Sequence, residues 1–158
     1  MSAVSPAVSG LPFVDELRVE IEAPVLSVWR GLAVQLAGSR ASAALASVLG
    51  THPRRATGRL FTPGSAVPGF RVTEATAGRR VELLGRHRFA RYALVLTLDD
   101  RPDRTVLRAR TYAEFPGPHG AAYRLLVISS GAHKKVTQHL LTAVRNRAEG
   151  KGQRRRRS

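Results

Sequence analysis

The stretch Glu16-Leu17-Arg18-Val19-Glu20-Ile21-Glu22-Ala23-Pro24-Val25-Leu26-Ser27-Val28-Trp29 changes its hydrophobic period in the middle. Leu17, Val19 and Ile21 alternate with Arg18, Glu20 and Glu22, the two-residue period of a half-buried strand with one wet face. Past Ala23 the period lengthens, and Val25, Val28, Trp29, Leu32 and Leu36 recur every three or four residues as far as Gly38. Pro24 suits a first helical turn, where its missing N–H would have no intrahelical partner. The pattern predicts a strand over 16–22 running into a helix over 24–37. Ser39 then stands where it caps a second short helix carrying Ala43, Leu45, Val48 and Leu49, which Gly50 stops.

Beyond the His52-Pro53 break, short extended runs follow at Thr57 to Phe61, Phe70 to Thr76, Arg80 to Leu84, Phe89 to Leu98 and Thr105 to Phe115. Ala77-Gly78 and Asp99 to Asp103 separate them with residues that supply turn dihedrals, so the runs read as an antiparallel meander. After Phe115-Pro116-Gly117 the helical period returns in Leu125, Ile128, Ala132, Val136, Leu140 and Val144, with Lys134, Lys135, Arg145 and Arg147 on other faces. A long amphipathic helix is expected there, kinked at Ser129-Ser130-Gly131 where Ser and Gly weaken the helical preference.

Both ends lack periodicity. Residues 1–12 are rich in Ser, Ala, Pro and Gly, and residues 150–158 end in a run of Arg, so the expected arrangement is one ordered domain over 13–149 between two disordered tails. A chain of 158 residues is long enough to bury a sizeable core without staples. It has no Cys, which excludes a disulfide scaffold, a thiol nucleophile and Cys-ligated zinc or iron–sulfur sites. Met1 to Val14 has neither the basic start nor the apolar stretch of a secretory signal, and no apolar run approaches membrane-spanning length; a cytoplasmic location is the expectation.

The formal charge is +15, and removing Lys151 and Arg154 to Arg157 still leaves +10 on residues 1–150. Arg supplies 23 of the 26 basic residues, scattered through the chain rather than gathered in a stripe. Two readings stand: a solvated surface, or a weak nonspecific grip of Arg154, Arg155, Arg156 and Arg157 on anions or a membrane surface. The Arg run lacks interleaved aromatics and a groove-reading helix, which argues against sequence-specific nucleic-acid binding.

The order strand, two helices, antiparallel strands and long terminal helix resembles the START-like helix-grip superfamily, also called SRPBCC, in its polyketide cyclase/dehydrase-like branch. Ala23-Pro24 followed by Val28-Trp29 resembles the passage from that fold's first strand into its first helix. Gly69-Phe70-Arg71-Val72, Gly85-Arg86-His87-Arg88-Phe89 and Phe115-Pro116-Gly117 resemble segments of uncharacterised bacterial members. The resemblance spans residues 14–148 and implies an α+β fold, a curved antiparallel sheet wrapped around the C-terminal helix. It also implies an apolar small-molecule pocket between them, lined by Trp29, Phe70, Val72, Tyr92, Leu94, Ala109, Thr111, Leu125, Ile128, Ala132 and Val136. The competing reading is that these residues simply fill a core.

No single catalytic motif defines that superfamily, so no catalytic residue is carried over from it. The residues themselves offer four candidates. His87 shares strand parity with Val81, Leu83 and Gly85 and would reach the pocket, unless Gly85 to Arg88 is a turn that leaves it in solvent. Glu74 shares parity with Phe70 and Val72, which would set a carboxylate in an apolar wall; a strand-end Glu meeting Arg71 or Arg80 is the alternative. Tyr92 is a potential hydroxyl donor at the wall. His133 with Ser129 and Ser130 on one helical turn forms a polar cluster, although Ser three or four residues on also bonds back to the helix.

His133 and His139 lie about 240° apart around the helix, so no metal is expected there. The hydrolase elbow, the P-loop and the dinucleotide fingerprint are missing, and no cofactor is expected. The leading expectation is therefore binding of a lipid, polyketide or aromatic compound. The second is a cyclase, aromatase or dehydratase using acid–base residues without metal or covalent nucleophile, and the third is an interaction protein with a filled core and an anion-binding tail.

Overall fold

The computed structural model describes residues 3–38, 61–87 and 89–150, except the side chain of His87. The helix expected after Ser39, most of the run Thr57 to Phe61 and the tail Arg154 to Arg157 lie outside the described residues.

The elements follow in the order α1 (Pro6–Ser9), β1 (Phe13–Ile21), α2 (Val25–Gly38), β2 (Ala66–Val67), β3 (Phe70–Thr76), β4 (Arg80–His87), β5 (Ala90–Asp100), β6 (Thr105–Glu114), α3 (Gly117–Arg124), a π-helical turn (Leu125–Ser129) and α4 (Ala132–Ala148). The strands form one antiparallel sheet ordered β1-β6-β5-β4-β3-β2, so the first strand closes one edge against the last. This is the α+β helix-grip arrangement. The expected hairpin at Ala77-Gly78 is present, with Thr76 opposite Arg80.

The alternation read from the sequence sorts the two faces of the sheet. Ile21, Val81, Leu83, Leu96 and Leu107 are fully buried on the inner face, where Val28 and Leu32 of α2 and Leu141 and Val144 of α4 meet them. Each such side chain contributes roughly 1.5–3 kcal/mol relative to exposure. Helix α4 packs against α2 and β1, whereas residues 117–129 make no comparable contact with any strand.

Three expectations are corrected. Residues 3–12, expected as a disordered tail, carry α1 at Pro6–Ser9 and cover the outer face: Val8 and Leu11 pack with Ala93 and Val95 in a second apolar cluster. Apolar residues two or three apart among Pro and Ser carry no strand or helix period, yet they suffice to cap a sheet. Secondly, Glu74 does not point inward. A bulge between Val72 and Glu74 shifts the parity of β3, so Ala75 joins the inner core and Glu74 stands opposite Glu82, whose carboxylate bonds α1 on the outer face.

Thirdly, the break in the terminal helix falls where the kink is expected, at Ser129-Ser130-Gly131, but it also resets the helical phase on which the stripe depends. The π-helical turn inserts an extra residue, and Gly131 at φ 70° begins α4 in a left-handed conformation that a side chain would disfavour. A single 3.6-residue phase therefore does not run through it. The stripe drawn through Leu125, Ala132 and Val136 lies exposed, with Leu125 at 68% and Val136 at 54%. The lower members of the same stripe do reach the core, with Val144 fully buried and Leu140 packed against it, and His133 and Leu141 lie beside them on the buried face of α4.

Candidate functional site

Of the wall residues named from the sequence, Val72, Leu94 and Ala109 are buried in the close-packed inner core, and Trp29 and Phe70 pack at its margin. The Trp29 ring lies 4.8 Å from Phe61, and Phe70 meets Tyr92 edge-on at 5.2 Å. Tyr92 donates its hydroxyl to the Gly69 carbonyl at 2.9 Å, so it ties β5 to the start of β3. Thr111 and Ile128 are half-buried, and neither belongs to the core cluster. Leu125, Ala132 and Val136 face solvent.

His87 ends β4 with its backbone opposite Ala90, which makes Gly85 to His87 strand. Its side chain lies outside the described residues. At the same end of the sheet Phe89 stands 6.0 Å from His119 and 6.2 Å from Tyr123, and Phe115 stands 6.1 Å from Tyr123. Burial among these rings pushes the Tyr123 hydroxyl above its ordinary pKa.

The side chain that the structure brings into a polar constellation is His133. Its Nε2 lies 2.7 Å from Asp15 Oδ2 on β1, and its Nδ1 lies 3.4 Å from the Val127 carbonyl. Both nitrogens thus face oxygen acceptors. The two side chains are about 12% and 13% exposed. Ser130 takes no part: its hydroxyl donates to the Val127 carbonyl and accepts the Ala132 N–H, while Ser129 is exposed. Directly across from Asp15 on β6 is Thr111. Asp15 Oδ1 and Thr111 Oγ1 are buried and have no hydrogen-bond partner among the described residues.

Sequence reading missed Asp15. Its parity with Leu17, Val19 and Ile21 is a signal, but Asp15 is polar and lies before the apolar alternation that begins after Glu16. A bulge between Phe13 and Asp15 ends that alternation. It lets Phe13 turn outward, 59% exposed and edge-on to Tyr112, while Asp15 keeps the inner parity.

Elsewhere a surface groove of about 340 Å³ runs along the outer face between Arg18, Arg104 and Arg108. Arg104 is paired there with Glu20 and Asp103, and Arg108 with Glu16, so most of its charge is already compensated. Among the described residues no group of three or more His, Asp or Glu is disposed to hold a metal ion, and no helix is long and apolar enough to cross a membrane.

No protein-family model matches the chain, and no curated protein sequence matches it significantly. Solved structures do match. Aha1 from Colwellia psychrerythraea, solved as a dimer, superposes with a TM-score of 0.56 at 12% identity, over 85% of this chain and 94% of that one. Mll3558 from Rhizobium loti gives 0.55 at 13% identity, over 84% and 94%. CalU16 from Micromonospora echinospora gives 0.52 at 14% identity, over 85% and 83%. At such identities the likeness concerns the path of the backbone, and there it agrees with the strand order and terminal helix described above: the chain shares the helix-grip fold of these proteins.

Proposed function

We propose that the protein binds a hydrophobic small molecule between the inner face of the sheet and the interrupted C-terminal helix. The observation that carries this reading is the contrast between the two halves of that face. Under α2 and α4 it is filled by close-packed apolar side chains, as interiors are by default. Toward residues 117–129, Tyr92, Thr111 and Ile128 stay half-exposed and outside the core, and the helical segment makes no extensive contact with the strands. An apolar wall with a few polar groups on it is what small-molecule sites offer. Tyr92, Thr111, Ile128 and Phe70 form this binding surface; Val72, Leu94 and Ala109 support it from behind.

Native mass spectrometry of freshly purified protein, followed by solvent extraction and an NMR titration with 2-methoxynaphthalene, tests the reading. A stoichiometric organic adduct that extraction removes, or saturable amide shifts at Tyr92, Thr111 and Ile128, is the expected result. A clean apo mass together with unmoved amides at those three positions overturns it.

A further inference from the structure

Three local irregularities of the backbone converge on one place. The bulge of β1 immediately precedes Asp15, the π-helical turn Leu125–Ser129 supplies the Val127 carbonyl that His133 Nδ1 faces, and left-handed Gly131 sets the start of α4 two residues before His133. Bulges and π-helical turns recur beside functional sites because they re-aim a side chain that a regular element would point elsewhere. Here the result is a carboxylate on the inner face of the sheet that is only half used. Asp15 Oδ2 is held by His133, while Oδ1 is buried without a partner. Its cross-strand neighbour Thr111 likewise buries Oγ1 unpartnered.

Buried oxygens without partners are costly, so a pair of them on one wall calls for a group that completes them. The carboxylate oxygen only accepts. The threonine hydroxyl donates or accepts. A single ligand hydroxyl matches both, donating to Asp15 Oδ1 and accepting from Thr111 Oγ1, whereas an ether oxygen or a plain hydrocarbon leaves the carboxylate oxygen unmet. A carboxylate ligand would set like charge against Asp15.

Building on the binding reading above, we infer that Asp15 and Thr111 form the polar recognition point of the site, selecting apolar ligands that carry a neutral hydroxyl, such as alcohols and phenols. His133 is a positioning residue: it fixes the Asp15 carboxylate through Oδ2 and leaves Oδ1 for the ligand.

The test compares 2-naphthol with 2-methoxynaphthalene, which differ in the O–H donor, by NMR titration of wild-type protein, Thr111→Val and Asp15→Ala. Wild type is expected to bind the naphthol about tenfold more tightly, the scale of one hydrogen bond to a charged group. In Asp15→Ala the ratio falls toward one, whereas Thr111→Val, which removes a donor that the oxygen of either compound accepts, weakens both by about fivefold and keeps the ratio. Thr111→Val is close in shape to threonine and serves as the variant whose fold is secure, checked by an undiminished melting temperature. Equal affinities in wild type mean that an ordered water alone completes the two oxygens; this overturns the inference and leaves the apolar site standing. Retention of the full preference by Asp15→Ala, or undiminished binding of both compounds by Thr111→Val, also overturns it. Absence of binding by either compound overturns both the inference and the reading on which it rests.

Discussion

Glu82, fully buried on the outer face of β4, accepts the backbone N–H of Ser5 through both carboxylate oxygens, at 3.0 and 3.3 Å. The same carboxylate pairs with the guanidinium of Arg80, itself 7% exposed. The N-terminal turn therefore does two things: it covers apolar Ala93 and Val95 with Val8 and Leu11, and it excludes water from an ion pair that needs its own hydrogen bonds to tolerate burial. Glu82→Ala leaves Arg80 buried without this counter-ion and is expected to cost about 3–5 kcal/mol. Removing residues 1–12 is expected to cost a similar amount, about 3–6 kcal/mol from the loss of Val8 and Leu11 alone. Urea unfolding measures both; a truncated chain within about 0.5 kcal/mol of the full one would show that the turn does not belong to the fold.

Gly85 stands directly opposite Tyr92 in the β4–β5 ladder, and the tyrosine ring lies over it on the way to the Gly69 carbonyl. A Cβ at position 85 would overlap both that carbonyl and the ring, and the carbonyl is backbone that cannot swing aside. Gly85→Ala is expected to destabilise by about 1–3 kcal/mol, the scale of overpacking, and to release the Tyr92 hydroxyl. Gly10, which has open space around it, provides the control, and Gly10→Ala should be near neutral. Equal melting temperatures for the two variants would refute the close approach.

The interrupted helix makes opposite predictions for residues that one helical stripe would treat alike. Leu125→Ala and Val136→Ala remove exposed side chains and should stay within about 0.5 kcal/mol of wild type. Val144→Ala should cost about 1.5–3 kcal/mol, because Val144, on the same stripe, is fully buried in the inner core. Comparable losses at positions 125 and 144 would restore the continuous stripe and contradict the break at Gly131.

Regular period is what made this fold legible. Leu17, Val19 and Ile21, then Val28, Leu32 and Leu36, gave the first strand and helix, and the run Phe70 to Thr76 coincides with β3. The errors fall where a single residue resets the phase. One bulge turns Glu74 from the inner to the outer face, another hides Asp15 beyond the end of the alternation, and the π-helical turn breaks the phase between Leu125, which lies in solvent, and Val144, which is buried. Periodicity assumes constant geometry, so it fails at inserted residues. In this chain they flank the Asp15–His133 pair, which is why His133 was legible as a candidate and its partner was not.

Glu16 gives a prediction in acid. Its carboxylate accepts from Arg110 Nε and, at 3.5 Å, from Arg108 across the β1–β6 pair. The hydrogen bond from Arg110 is the main reason that its pKa lies below the ordinary value of 4.5. A carboxyl whose folded value is depressed stays ionised in the folded chain where the unfolded chain would take up a proton. Its contribution is therefore complete above the unfolded value and is lost as pH falls through the lower folded one. With the carboxylate side chain 28% exposed and Arg110 36% exposed, solvent screening holds the contribution to about 0.5–1 kcal/mol. Stability measured by urea unfolding for wild type and Glu16→Gln should differ by a constant amount above about pH 5, and the two curves should converge as the pH falls below about 4.5. Curves that run parallel down to about pH 2 would mean that the arginine pairing contributes nothing that depends on ionisation of Glu16.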